Sequence, residues 1–494
     1  MMPTEDLFDC SDDHLSDRPD KPEEACGVFG VYAPQEAVAK FAYFGLFALQ
    51  HRGQESAGIA SFEGDKVHLH KDMGLVTQVF NELIIADLPG DLAVGHTRYS
   101  TTGSSRVVNA QPAVVKTRLG PLALAHNGNL VNTADLQAQL LERNHDLQTT
   151  TDSEMIAVAI GEAVNDGQDW QDAIITACKR STGAFSLVIG TPGALYGTRD
   201  PNGVRPLVIG TLPREGYTTP ARYVLASETC ALDIIGATYI RDVEPGELVC
   251  ITESGLTSLR WSESHRKLCI FEMIYFARPD STVHEESLYS YRMRIGRQLA
   301  KESTVDADIV IAVPDSGVPA AIGFSQASGI PYAEGLIKNR YVGRTFIQPT
   351  QSMRESGIRM KLNPLRDVLQ GKRVIIVDDS IVRGTTSRKI VKALRDAGAT
   401  EVHMRISSPP VTHPCFYGID TDSQDHLIAA TKSVEEIAEQ IGVDSLAYLS
   451  LEGMLETTLQ DTGHFCSACF TGKYPIEVPE MLKRSKLMLE EATV

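Results

Sequence analysis

Apolar positions in the first half of the chain come in short runs, each closed by a Gly, Pro or Asn turn. CGVFGVYA, LAVGH, LALAHN, AFSLVIG, YVLAS and GELVCI have the length and spacing of strands. A few longer stretches of helical period interrupt them, among them EAVAKFAYFGLFALQHR and SEMIAVAIGEAV. The pattern predicts a layered α+β domain with mostly antiparallel sheets over residues 26–260. After the polar segment SESHRK the rhythm changes. DADIVIAV leads into VPAAIGFSQASG, and KRVIIVDD leads into SRKIVKALRDAG and then EVHMRISS. Strand and helix in alternation predict a parallel sheet flanked by helices over 261–455, with a less regular tail at 456–494.

The first 25 residues stand apart, because nine acidic side chains face two basic ones with few apolar anchors between them. A disordered leader is predicted there. It carries more than a third of the formal net charge of −18. That acidic balance argues against nucleic acid or an anionic membrane as partner, yet leaves room for a local basic site facing a small phosphorylated ligand. At 494 residues, 43% of them apolar and 22% charged, the chain has the composition of a soluble globular protein of about two to four domains. No run approaches the ~18 apolar residues of a membrane span, and the N-terminus lacks the basic and apolar regions of a secretory signal. A cytoplasmic location, or its plastid-like or prokaryotic equivalent, is therefore expected. Nine cysteines, an odd number at low density, point to reduced, catalytic or metal-bound thiols in place of a disulfide scaffold.

The most informative segment is KRVIIVDDSIVRGTTSRKIVKAL. Val374–Val377 read as a strand buried on both faces; Asp378 and Asp379 stand at its carboxyl end, and a hydroxyl- and glycine-containing loop, 380–386, leads into an amphipathic helix. Ligands bind outside the carboxyl ends of parallel strands. Backbone N–H groups and hydroxyls before a helix cradle phosphate, while paired carboxylates accept from vicinal ribose hydroxyls or help to hold Mg²⁺. The segment resembles the fingerprint of type I phosphoribosyltransferases, which bind 5-phosphoribosyl 1-diphosphate (PRPP). The resemblance implies that Asp378 and Asp379 hold the ribose hydroxyls and that Ser380, Arg383, Gly384, Thr385 and Thr386 belong to the 5-phosphate loop. It also matches Asp315, Ser316 and Gly317 in IVIAVPDSGVPAAIGF to the pyrophosphate loop, with one Mg²⁺ near Ser316, Asp378 and Asp379. Between these loops Lys338, Arg340, Arg344, Arg354, Arg359 and Lys361 concentrate positive charge. A closing lid over a diphosphate, with Lys338 and Lys361 among the PRPP ligands, accounts for that concentration better than a solvated loop.

At the start of the first domain, removal of the leader after Ala25 would give Cys26 a free α-amine of pKa about 8, able to act as base for its own thiol. Downstream, Arg98 in GHTRYST can hold an α-carboxylate bidentately. Asn127 and the N–H of Gly128 in AHNGNLVN offer an oxyanion hole, and Asp152 in TTTDSE can bind an ammonium group. Each is bland by itself: HNGN makes a turn, and Asp152 or Ser153 an N-cap. In this order after CGVFG and LQHRGQESAG they resemble class II glutamine amidotransferase domains. Arg52 within LQHRGQES is read either as a link between sites or as a surface arginine.

Four late cysteines, Cys269, Cys415, Cys466 and Cys469, suffice for a tetrahedral thiolate site, and spacing alone does not choose between zinc and an iron–sulfur cluster. Their surroundings, in CIFEMIYFARPDS, HPCFYGID and FCSACFTGK, resemble the iron–sulfur, propeptide-bearing branch of the glutamine PRPP amidotransferases. This resemblance implies an N-terminal-nucleophile hydrolase fold of four αββα layers, followed by an α/β type I phosphoribosyltransferase domain with a parallel sheet. It further implies a [4Fe–4S] cluster that pins the tail to the second domain. The implied activity is glutamine-dependent synthesis of 5-phosphoribosylamine, the first committed step of purine biosynthesis, with ammonia sheltered on its way to PRPP. Purine nucleotide feedback inhibitors and a homotetramer are implied as well. A sugar-phosphate aminating synthase is disfavoured by VIIVDDSIVRGTT, and a PRPP-sensing regulator by a complete glutaminase constellation.

Overall fold

The structure, a computed structural model, describes residues 26–99, 105–213, 222–339, 362–421 and 423–479. They form two compact units, one of residues 26–295, 413–421 and 452–479, the other of residues 296–412 and 423–451.

The larger unit is built on two antiparallel sheets. One contains β1 (Gly27–Tyr32), β2 (Ser56–Glu63), β3 (Lys66–Met73), β4 (Leu92–Arg98), β9 (Val208–Thr211), β10 (Tyr223–Ala226) and β11 (Thr238–Asp242), in the order β11-β9-β10-β1-β4-β2-β3. The other contains β5 (Ala113–Thr117), β6 (Gly120–Leu130), β7 (Gly183–Thr191), β8 (Ala194–Arg199), β12 (Glu247–Thr252) and β13 (Gly255–Arg260), in the order β13-β12-β8-β7-β6-β5. Alternation of side chains sends Val28 and Val94 from the first sheet and Ala125 and Val188 from the second into a shared core, as two face-to-face sheets require. The opposite face of the first sheet, with Phe29 and Ile59, packs on α1 (Val38–Ala48) and shorter helices. That of the second, with Leu124 and Phe185, packs on the helices Thr133–Glu142, Asp152–Asn165 and Trp170–Arg180. Four layers, helix, sheet, sheet, helix, result.

The smaller unit carries β17 (Ile309–Ala312), β20 (Arg373–Asp378), β21 (Glu401–Ile406) and β22 (Ser445–Tyr448), all parallel, in the order β17-β20-β21-β22. Val374–Val377 are fully buried, because helices cover both faces of such a sheet. The helix Thr385–Asp396 turns Ile390, Val391 and Leu394 inward, while Arg388, Lys389 and Lys392 face outward.

The division differs from the expected boundaries. Residues 261–295, 413–421 and 452–479 group with the antiparallel unit, whereas the resemblance implies a tail pinned to the second domain. Pairing explains it: β14 (Leu268–Cys269) lies parallel to β23 (Phe465–Cys466), the Tyr417 hydroxyl both donates to Ile476 O and accepts from Ile476 N, and the group is tied to the antiparallel unit where Cys269 N donates to Val204 O at 3.0 Å and Arg205 Nη2 to Tyr417 O at 2.9 Å.

Candidate active site

Cys26 leads into β1, whose antiparallel pairing with β4 sets Gly27 opposite Thr97. The Cys26 thiol is 8% exposed and donates to the Tyr99 carbonyl at 3.4 Å. Burial is the main force pushing it up to about 12; the Arg98 charge opposes that push, while Glu55 and Asp152 add to it. Arg98, at the end of β4, is buried and donates to Glu55 at 3.2 Å. Burial alone would raise the Asp152 carboxyl, but the neighbouring His126 ring, 3.4 Å away, turns the shift downward. A carboxylate held ionised in this way suits an ammonium ligand.

Asp152 is not the N-cap of its helix. Thr151 caps it by accepting from Glu154 N at 3.4 Å, which frees Asp152 Oδ2 to accept from Leu130 N at 3.1 Å. Asn127 lies in β6, fully buried, and among the described residues both polar atoms of its side-chain amide lack a hydrogen-bond partner. A buried amide left unpaired costs about 1–3 kcal/mol, so a ligand that supplies an acceptor is the natural complement. Gly128 follows at φ +144°, where a β-carbon would stand 2.0 Å from Ala184 O. Only glycine fits. His96 is no candidate base: burial pushes its ring down to about 3, and Nε2 lies 3.0 Å from the His126 carbonyl oxygen.

In the parallel unit, β20 delivers Asp378 and Asp379, both buried, to its carboxyl end. Asp379 N donates to Asp378 Oδ1 at 2.9 Å and Ser380 Oγ to Asp379 Oδ1 at 2.8 Å, so the turn is fixed by its own polar groups. Arg383 and Gly384 complete the loop, and Thr385 and Thr386 begin the following helix. Asp315–Gly317 lie between β17 and the helix Val318–Ser328. Asp315 is exposed and accepts from Lys338 Nζ at 2.6 Å, so two side chains expected at the diphosphate meet each other. Lys361 and the basic positions Arg340, Arg344, Arg354 and Arg359 lie outside the described residues.

The four late cysteines converge. The β14–β23 register sets Cys269 beside Cys466, and His413 N, two residues before Cys415, donates to the Cys469 carbonyl at 3.0 Å. Burial raises the Cys269 thiol to about 12 and raises the Cys466 and Cys469 thiols as well; for Cys469 the other three cysteines add to the rise. Four converging thiols, three of them buried and that of Cys415 partly exposed, are a donor set suited to soft metal centres. Among the described residues no three His, Cys, Asp or Glu side chains gather tightly enough to hold a single metal ion.

A family model for the glutamine amidotransferase domain matches residues 96–233, and one for the phosphoribosyl transferase domain matches 290–407. The chain is 73% identical over 497 aligned residues to the amidophosphoribosyltransferase of Synechococcus elongatus, covering 100% of both chains. It is 50% identical to that of Bacillus subtilis, covering 92% of this chain and 95% of that one. The chain belongs to the amidophosphoribosyltransferase family. The solved B. subtilis glutamine PRPP amidotransferase, complexed with ADP and GMP, superposes with a TM-score of 0.85 at 49% identity, covering 92% of this chain and 98% of that chain. The chain carries an αββα amidotransferase unit, the layering that the resemblance implies, and a parallel-sheet phosphoribosyltransferase unit, as the alternation of strand and helix predicts.

One part of this family member's interior escaped sequence reading. Arg52 is 1% exposed, in the turn after α1, and is not a surface arginine. It binds both Glu228 and Glu272. Glu272 in turn accepts from Arg205 Nη1 at 3.0 Å, and Glu228 from Ser281 Oγ at 2.7 Å. Burial would lower the Arg52 guanidinium, but the two carboxylates reverse that and raise it. The one sequence signal for the network is that Arg205 and Glu272 stand among apolar and glycine neighbours in NGVRPLVIG and CIFEMIYF; the polar surroundings of Arg52 in LQHRGQES and of Glu228 in ASETC carry none.

Proposed function

We propose that this enzyme forms 5-phosphoribosylamine from PRPP with glutamine as nitrogen donor, and that Cys26, Asn127, Gly128, Arg98 and Asp152 perform the glutamine half. The observation that carries this reading is the buried Cys26 thiol within electrostatic reach of Arg98 and Asp152, three residues far apart in sequence. With its nitrogen in an amide bond, that thiol sits near 12 and is a poor nucleophile. Cleavage after Ala25 supplies an α-amine in its place. The sulfur attacks the side-chain carbonyl carbon of glutamine and the thiol proton passes to the amine. Arg98 holds the α-carboxylate and Asp152 the α-ammonium. The tetrahedral oxyanion receives hydrogen bonds from the Asn127 side chain and Gly128 N–H. As the C–N bond breaks, the amine returns its proton to the leaving ammonia, and water then hydrolyses the thioester to glutamate.

In the second half, Asp378 and Asp379 accept from the ribose hydroxyls, and Ser380, Arg383, Gly384, Thr385 and Thr386 bind the 5-phosphate. Asp315 and Lys338 are assigned to the diphosphate end of the site, and Lys361, outside the described residues, joins them by the resemblance alone. Ser316, Asp378 and Asp379 suit Mg²⁺, which prefers few protein oxygens plus substrate phosphates and would neutralise charge on departing pyrophosphate. Ammonia attacks C1 as pyrophosphate leaves. Cys269, Cys415, Cys466 and Cys469 fit a [4Fe–4S] cluster in a structural role, with one cluster and one Mg²⁺ per subunit. Purine nucleotides as feedback inhibitors are supported by the ADP and GMP in the B. subtilis structure. A homotetramer is proposed from family membership, for sedimentation to test. Among the described residues no helix is long and apolar enough to cross a membrane, and a cytoplasmic location is proposed.

Cys26→Ser tests the division of labour. It should abolish glutamine-dependent synthesis and keep ammonia-dependent synthesis; retained glutamine activity would sink the reading. Intact mass should give a chain starting at Cys26, and the purified protein should absorb broadly near ~400 nm. A colourless zinc protein would refute the cluster.

A further inference from the structure

The residues that follow Cys415 lie against the strand that carries Asn127 and Gly128. Phe416 O accepts from Asn129 Nδ2 at 3.1 Å. Gly418, at φ +101°, packs so closely that a β-carbon on it would stand 2.9 Å from the Gly128 carbonyl carbon. Between them, Tyr417 O accepts twice from the buried Arg205, from Nε at 3.0 Å and Nη2 at 2.9 Å, while Tyr417 N donates to Cys415 Sγ at 3.4 Å. Arg205 is fully buried and tied on both sides. Its own carbonyl accepts from Ser186 Oγ at 2.9 Å, and Ser186 is the β7 residue in register with Asn127. The preceding carbonyl, Val204 O, accepts from Cys269 N at 3.0 Å. The same few residues therefore touch two cysteines of the cage, Gly128 itself, and Asn129 and Ser186 beside the proposed oxyanion site.

We infer that residues 415–418, clamped by Arg205, are a strut that transmits the positions of the cage cysteines to Asn127 and Gly128. Arg205 and Tyr417 are positioning residues for glutamine hydrolysis. The inference rests on the assignment of Asn127 and Gly128 as oxyanion donors. An oxyanion hole works only when its donors are fixed before charge develops. Gly128 has no side chain with which to fix itself, and it is held by Ala184 on one side and Gly418 on the other. A thiolate ligand whose loop carries the Gly418 contact makes cage occupancy part of that fixation, as outer partners and ligands tune each other at metal sites.

Arg205→Lys in the full-length holoenzyme keeps the charge but removes the planar fork that grips Tyr417 O twice. The expected result is a glutaminase kcat reduced about tenfold or more, with KM, iron content, the ~400 nm absorption and ammonia-dependent synthesis as in the wild type. Hydrogen exchange of the peptide 124–131 should accelerate in the variant, and also in wild-type protein stripped of iron by a chelator, while residues 373–378 exchange as before. Unchanged kcat, a loss confined to KM, or unchanged exchange after iron removal would overturn the strut. Should Arg205→Lys not fold, Asn129→Ala removes the single bond to Phe416 O, and a kcat equal to wild type would count against the inference in the same way. A wild-type protein without the iron–sulfur absorption would refute the cluster alone, because the Arg205 and Asn129 arms need no metal.

Discussion

In the antiparallel unit the proposed glutamine ligands come from separate elements, Cys26 before β1, Arg98 at the end of β4, Asn127 within β6 and Asp152 at a helix start, and all are nearly buried. In the parallel unit the proposed ribose and phosphate ligands run almost contiguously from Asp378 to Thr386, on one strand end, one loop and one helix start. The dispersed site owes its geometry to long-range polar packing, and a change at a distance can disturb it. The contiguous site is fixed by local backbone and by bonds such as Ser380 to Asp379. Damage to the first should therefore arise from residues that touch no substrate, and damage to the second mainly from residues that do.

The strongest test of this contrast is Arg52→Met. It leaves Glu228 and Glu272 buried with one cation fewer, and removing one partner of a buried pair costs about 3–5 kcal/mol. We expect the antiparallel unit to unfold at a clearly lower temperature by calorimetry, while peptides from β20 keep their exchange protection. Equal loss in both units, or none, would break the comparison.

Asn127→Ala probes the dispersed site directly. Loss of one oxyanion donor costs about 10²–10³ in kcat. Steady-state glutaminase assays should show that loss with ammonia-dependent synthesis intact, whereas a loss of only a fewfold would remove Asn127 from the oxyanion role.

Asp379→Asn is the counterpart in the contiguous site. Hydrogen bonds to a charged group contribute about 1.5–3 kcal/mol, so both glutamine- and ammonia-dependent synthesis should fall about tenfold to a hundredfold. PRPP titration calorimetry should place the defect in binding. Glutamine-only hydrolysis affected as strongly would mean that Asp379 does not belong to the PRPP half.

The same contrast explains what could be read from the sequence. VIIVDDSIVRGTT is a complete strand, loop and helix start, and its local pattern determines where Asp378 and Asp379 stand. The short apolar runs likewise located β1, β4, β6, β7, β10 and β12. Periodicity carries no information about partners 176, 212 or 220 residues apart, the separations between Arg52 and Glu228, Arg205 and Tyr417, and Arg52 and Glu272. For that reason Arg52 could pass for a surface residue, and the Cys415 loop and the tail could be placed with the wrong unit. Asp152 reads as an N-cap for a similar reason, since Thr151 offers the same local chemistry and only the fold shows which of the two caps.

The smallest effect belongs to an ion pair of the parallel unit. Arg373, at the start of β20, donates to Asp308 Oδ1 at 2.9 Å and to Asp306 at 2.6 Å, at a solvent-exposed edge. The side-chain hydrogen bond from Arg373, followed by its backbone N–H, holds the Asp308 carboxyl down at about 2. A carboxyl lowered in the fold contributes stability that is fully present above its unfolded value of about 3.9 and is lost as pH falls toward the folded value. Water and salt screen exposed charges, so the contribution is small even where it is complete. Arg373→Gln should therefore shift the melting temperature far less than Arg52→Met at pH 7, and the shift should shrink both in ~1 M salt and as pH falls below about 3.9. A shift as large as that of the Arg52 variant, insensitive to salt and to acid, would show that the exposed pair in the contiguous unit carries the same structural weight as the buried network, and the distinction between the two units would fail.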